Sequence, residues 1–195
     1  MRPAYGNLRT FRRALMKAKL IVLIYLLLFL PTSCYPVRYD GPYRGKIVDA
    51  ETAQPIESVV VLGTWSKELP TPAGAVSSYY DAMETVTDKN GEFEIPGLGL
   101  KILSNVTPMN ILIFKAGYEY IGLWPWESFK EDESLKKKVI WEGKKAIISL
   151  RRLTMEERMK KRSPDYPSEA PKEKIKFMLN EINKDRTERG LKPVN

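Results

Sequence analysis

The stretch Thr85–Pro96 constrains this chain most, because two strand-like runs meet there around a tight turn. Asp88, Asn90 and Gly91 are turn residues: an Asp carboxylate can bond nearby backbone, and Asn and Gly tolerate positive φ. After the turn Phe93 and Ile95 alternate with Glu92 and Glu94, the period of a strand with one dry and one wet face. The pattern predicts a hairpin. A lone hairpin is not stable in water, so the flanking chain must supply further strands.

It does so in short pieces. Tyr43–Asp49, Ser58–Trp65, Asn110–Lys115, Tyr118–Leu123 and Lys145–Leu153 all read as strands, bounded by Gly, Pro and Asn signals. Val59–Leu62 and Ile111–Phe114 are apolar on both faces, as strands covered on both sides would be. Tyr79-Tyr80 follows the Pro- and Gly-containing Leu69–Gly74 and opens a strand on a sheet edge. No helix is predicted between these runs. The expected fold is all-β: an antiparallel sandwich of about seven strands over residues 42–152.

Upstream, Leu20–Leu30 is an unbroken apolar run of eleven residues ended by Pro31, with Arg12, Arg13, Lys17 and Lys19 before it. A bilayer span needs about 20 residues, so the run fits the hydrophobic region of a signal peptide at residues 1–33. Met16 offers a second start position just ahead of it. Leu30-Pro31-Thr32-Ser33-Cys34 places small residues before the sole cysteine of the chain. This resembles the lipobox of bacterial lipoproteins, although Pro31 stands where that family usually has an aliphatic residue. The resemblance implies acylation of Cys34, a lipid-anchored tether at 34–41 and membrane attachment. Tyr35 in place of Asp implies the outer membrane, facing the periplasm.

Further residues resemble a second family. Gly45–Val61, Thr87–Ile95 and Ile113–Tyr118 look like the opening, the central hairpin and the late strand of the carboxypeptidase regulatory-like domain. That family frequently has Gly near positions 53 and 58, where this chain has Ala53 and Ser58. The resemblance implies a seven-stranded, transthyretin-like sandwich and a non-catalytic module.

The net charge of +8 is misleading as a nucleic-acid signal. Residues 1–33 carry six basic side chains and no acidic one; the remainder holds 26 basic and 24 acidic residues. A dense basic face, which nucleic-acid binding needs, is not expected, and nucleic acid is set aside as a partner. The chain has no histidine, which removes the commonest general base and transition-metal ligand. No catalytic residue, metal site or cofactor is assigned. Asp88-Lys89-Asn90-Gly91 lacks the further oxygen ligands of a calcium loop. Asp81 and Glu84 remain as a carboxylate pair that a hydrolase reading would need.

The candidate binding surface is aromatic. Tyr118, Tyr120, Trp124, Trp126 and Trp141 surround a charged insertion, Glu127–Lys138, too long for a minimal hairpin loop. Such rings suit a protein or polysaccharide partner, or they close one end of the core. From residue 153 a helical tail follows, to 195. Thr154 and Glu157 form a capping-box pattern, Ser163–Pro171 is a linker, and a second helix runs from Pro171 to about Arg189. Ile175, Met178, Leu179 and Ile182 make its apolar stripe. The expected function is a lipid-anchored envelope binding or scaffolding protein with an envelope protein partner. Polysaccharide binding and a carboxylate-dependent hydrolase are the alternatives.

Overall fold

The structure is a computed structural model that describes residues 16–22 and 37–194. Met1–Pro36 and Val37–Asn195 are separate compact units. In the first, residues 16–22 form a helix (α1). Cys34 lies outside the described residues.

The second unit is mostly β. Its strands are β1 (Val37–Asp40), β2 (Tyr43–Asp49), β3 (Val60–Thr71), β4 (Gly74–Val86), β5 (Glu92–Ile95), β6 (Gly99–Ile102), β7 (Asn110–Phe114), β8 (Ile121–Pro125), β9 (Val139–Glu142) and β10 (Lys145–Leu150). One four-stranded sheet runs β5-β2-β10-β9 and the other β4-β3-β7-β8, with β1 and β6 pairing apart from both. The two large sheets share one core: Ile47, Phe93, Ala146 and Ile148 meet Val61, Trp65, Ile111 and Ile113 in a single buried cluster.

Several expectations change. The Thr85–Pro96 turn does not close a hairpin: β4 pairs with β3 and β5 pairs with β2, so the chain there crosses between sheets. The local cause is visible. Thr87 Oγ1 accepts from the Val59 N–H and donates to the Ile56 carbonyl, while Gly91 accepts from the Ile47 N–H. A Cβ on Gly91, at φ 73°, would lie 2.4 Å from the Ile47 carbonyl oxygen. Asp88, Asn90 and Gly91 do form a turn, closed locally by Asp88, while Thr87 and Gly91 bond to distant chain.

The sheets are not wholly antiparallel, since β10 runs parallel to β2 from Lys145↔Arg44 to Leu150↔Asp49. Parallel neighbours need a long crossover, and here most of the domain lies between the two strands. The described strands also number ten rather than about seven. Val37–Asp40, expected as tether, is strand β1, and the insertion holds two short helices, α2 (Ser128–Glu131) and α3 (Glu133–Lys136), ahead of β9. Finally, the strand expected to open at Tyr79-Tyr80 begins earlier, at Gly74: β3 and β4 continue as an exposed ribbon, with Leu69↔Val76 and Pro70↔Ala75 paired.

Ala53 and Ser58 adopt left-handed backbone, φ 56° and 57°. Both residues carry a Cβ, so the turn holds this conformation at some steric cost.

The tail follows its pattern closely. Thr154 and Glu157 form the reciprocal capping box of α4 (Met155–Lys160). After a 3-10 turn at Lys172–Lys174, α5 spans Lys176–Glu188. Its stripe covers the outer face of β3 and β7: Ile175, Met178 and Ile182 are buried with Val60, Leu62, Leu112 and Phe114. That layer explains why these strands are apolar on both faces.

Several turn carboxylates accept backbone N–H bonds. Asp88 takes those of Glu92 (2.8 Å) and Asn90 (2.9 Å), and Asp49 those of Glu51 and Thr52. The Glu92 N–H first, and Asn90 with it, holds Asp88 below its ordinary 3.8; the Thr52 and Glu51 N–H groups do the same for Asp49. A carboxyl with a lowered folded pKa stabilises the fold fully above its unfolded value, and that contribution is lost as pH falls through the folded value. The melting temperature is therefore expected to fall as pH drops below about 4. A thermal series across that range, run beside Asp88→Asn, should show a shallower acid limb in the variant. An unchanged slope would remove Asp88 from the account.

Candidate functional site

Most of the aromatic candidates are committed to packing. Trp126 is buried and sits at the centre of a ring cluster, with centroids 5.6 Å from Tyr43, 5.5 Å from Phe129 and 5.5 Å from Trp141. The pairs with Tyr43 and Trp141 are edge-on, a geometry that adds to area burial. Tyr118 and Trp141 pack against the same sandwich core, whereas Tyr120 packs with Phe114 on the helix side. Trp124 is 40% exposed, on strand β8. The structure thus brings Trp126 and Trp141 together, with Tyr118 on the same core, and leaves Tyr120 and Trp124 elsewhere. The insertion closes over this end: Phe129 of α2 and Leu135 of α3 are buried, and Lys130 Nζ lies 4.6 Å from the Trp141 ring centroid. Asp132 caps α3 by accepting from the Ser134 and Leu135 N–H groups.

A polar groove of about 280 Å³ lies elsewhere, where the base of the β3–β4 ribbon meets the tail linker. Thr64, Ser66, Ser78, Asn110, Tyr166 and Glu169 are among its lining residues. Glu169 accepts from the Tyr79 N–H at 3.4 Å, and the Tyr79 hydroxyl is buried without a partner. Burial first, and Asp81 second, push the Tyr79 phenol up. Hydroxyls, an amide and one carboxylate suit hydrogen bonding to a neutral polar ligand rather than acid–base chemistry. This groove was not legible in the sequence, because its walls come from residues about a hundred positions apart.

Asp81 and Glu84 hold the tail. Asp81 pairs with Lys174, and Glu84 accepts from the Phe177 and Met178 N–H groups at 2.7 and 3.0 Å. Helix α5 has no side-chain cap of its own, so Glu84 supplies a carboxylate to its N-terminus from the neighbouring sheet, where negative charge is favoured. Among the described residues no group of three or more acidic, Cys or His side chains is placed to hold a metal ion.

No family model matches the chain, and no curated protein is significantly similar to it. Among solved structures, 3-chlorocatechol 1,2-dioxygenase from Rhodococcus opacus 1CP is similar at a TM-score of 0.33 and 17% identity, over 57% of this chain and 59% of that one. A likeness this loose carries no argument about fold or activity.

Proposed function

We propose that this chain is an exported, lipid-anchored binding or scaffolding protein of the cell envelope, attached through acylated Cys34. One observation carries the reading: a basic segment, an eleven-residue apolar run and Thr32-Ser33 lead directly to the chain's sole cysteine. Tyr35 directs it to the outer membrane, on the periplasmic side. The folded unit then begins at Val37, and its role is to present surface to an envelope protein.

The sandwich is of the carboxypeptidase regulatory-like, transthyretin-like kind. What supports this is where the three motifs fall. Gly45–Val61 leads from β2 into β3, Thr87–Ile95 is the crossing into β5, and Ile113–Tyr118 ends β7. The left-handed Ala53 and Ser58 add to it. The module is non-catalytic: the chain has no His, and Asp81 and Glu84 are spent on the tail.

Polysaccharide binding is the second reading, favoured by the exposed Trp124 ring and the hydroxyl-lined groove. Membrane fractionation followed by crosslinking and pull-down decides between them, with Cys34→Ser beside wild type. Wild type is expected in the membrane fraction with one stoichiometric protein, and Cys34→Ser in the soluble fraction without it. Equal fractionation of the two would sink the anchoring, whereas recovery of glycan alone would select the second reading.

A further inference from the structure

The β1–β6 pair is patterned inside out. Val37 lies opposite Ile102 and Tyr39 opposite Leu100, and these four side chains are 56%, 61%, 70% and 59% exposed. Leu103, the next residue, is 78% exposed. The polar residues of the same strands face the protein. Arg38 donates to the Val106 and Thr107 carbonyls at 2.8 and 3.0 Å, and the buried Asp40 accepts from the Tyr43 hydroxyl and the Leu98 N–H. Lys101 Nζ lies 5.5 Å from the Tyr80 ring centroid.

A ribbon meant for water would be turned over. Because the side-chain period is two, a one-residue slip would exchange the faces, and Arg38 and Asp40 block that slip. The apolar face is therefore held outward by specific bonds, and a contiguous patch of this kind marks a contact surface.

We propose that this face seats the domain on the lipid bilayer, inserting Val37, Tyr39, Leu100, Ile102 and Leu103 into the interfacial region. The proposal rests on the anchoring of Cys34, and the length of chain between the two selects the occupant. Only Tyr35 and Pro36 separate Cys34 from β1, so their backbones can be no more than about 11 Å apart even when fully extended. An acylated Cys34 sits at the bilayer surface, whose polar zone is itself about 5–7 Å thick on each side. The first strand after the anchor is thus held within reach of lipid. The outward face of β1 and β6, with Leu103, exposes four aliphatics and a tyrosine, a residue type that favours the membrane–water boundary.

Depth can be read directly, because Cys34 is the sole thiol and is blocked when acylated. Full-length protein carrying Ile102→Cys is purified from membranes, labelled with a polarity-sensitive fluorophore and reconstituted into phosphatidylethanolamine–phosphatidylglycerol vesicles with lipid-borne quenchers. Ile140→Cys, at an exposed site on β9 (65%), is the control, and unsubstituted protein reports the state of Cys34. A blue shift and lipid quenching at position 102, absent at 140, with no label on unsubstituted protein, is the expected result. An anchored protein whose label at 102 stays in water overturns the seating and leaves the anchor standing. Label on unsubstituted Cys34 overturns the anchoring and the seating with it. A blue shift at 102 without lipid quenching assigns the face to a protein partner or a second copy, and also overturns the proposal. Leu100→Cys repeats the test should position 102 disturb the ribbon.

Discussion

Asp185→Ala is expected to destabilise the domain by about 3–5 kcal/mol, the range for removing one partner of a buried ion pair. Asp185 accepts from Arg158 at 2.6 and 3.0 Å through one oxygen and from Arg189 at 3.0 Å through the other. The Arg158 and Asp185 side chains are 9% and 7% exposed, and Arg189 is 6% exposed. Removing the carboxylate leaves two guanidinium groups with little water to turn to. Glu188, at 2.7 Å from Arg158, compensates only from the half-exposed side. The melting temperature should drop by on the order of 10 °C. Replacing Arg158, Asp185 and Arg189 together by apolar residues should recover much of the loss, since a packed apolar cluster can match a buried ionic one. Truncating the exposed Lys160–Glu156 pair, 73% and 79% exposed, should change stability by no more than about 0.5 kcal/mol. A loss equally small for Asp185→Ala would show that the tail junction does not contribute to folding.

Ile182→Ala and Met178→Ala should each cost about 2–5 kcal/mol. Both side chains are fully buried between α5 and the outer face of the β4-β3-β7-β8 sheet. The loss combines lost apolar contact with a cavity that a flat sheet face cannot close. Phe177, on the same helix but 49% exposed, is the control, and Phe177→Ala should stay within about 0.5 kcal/mol. Denaturant titration separates these outcomes. Should Ile182→Ala behave like Phe177→Ala, the helix would be a loosely held extension and not a layer of the fold.

The tail was largely legible because its signals are local. A capping box and an i, i+3, i+4 apolar stripe depend on residues within one or two turns, and Thr154–Glu157 and Ile175–Ile182 sit where those rules put them. The double-faced apolar runs of β3 and β7 were legible too, and they required a cover on each side. The candidate surface was harder. Nothing local separates a Trp that packs from one that binds, so Trp126, Trp141 and Trp124 read alike although they have different neighbours and exposures.

By itself the sequence determined that short strands alternate with turns, that one helix carries an apolar face, and that a lone cysteine follows a basic and then apolar segment. Each follows from side-chain periodicity, turn chemistry or composition over a few residues. Only the tertiary structure decided which strands pair. It turned the apparent Thr85–Pro96 hairpin into a crossing between sheets, laid β10 parallel to β2, and faced the apolar side of β1–β6 outward. Strand pairing is a choice among partners far apart in sequence, and the bonds that settle it, from Thr87, Gly91, Arg38 and Asp40, exist only once the chain has closed on itself.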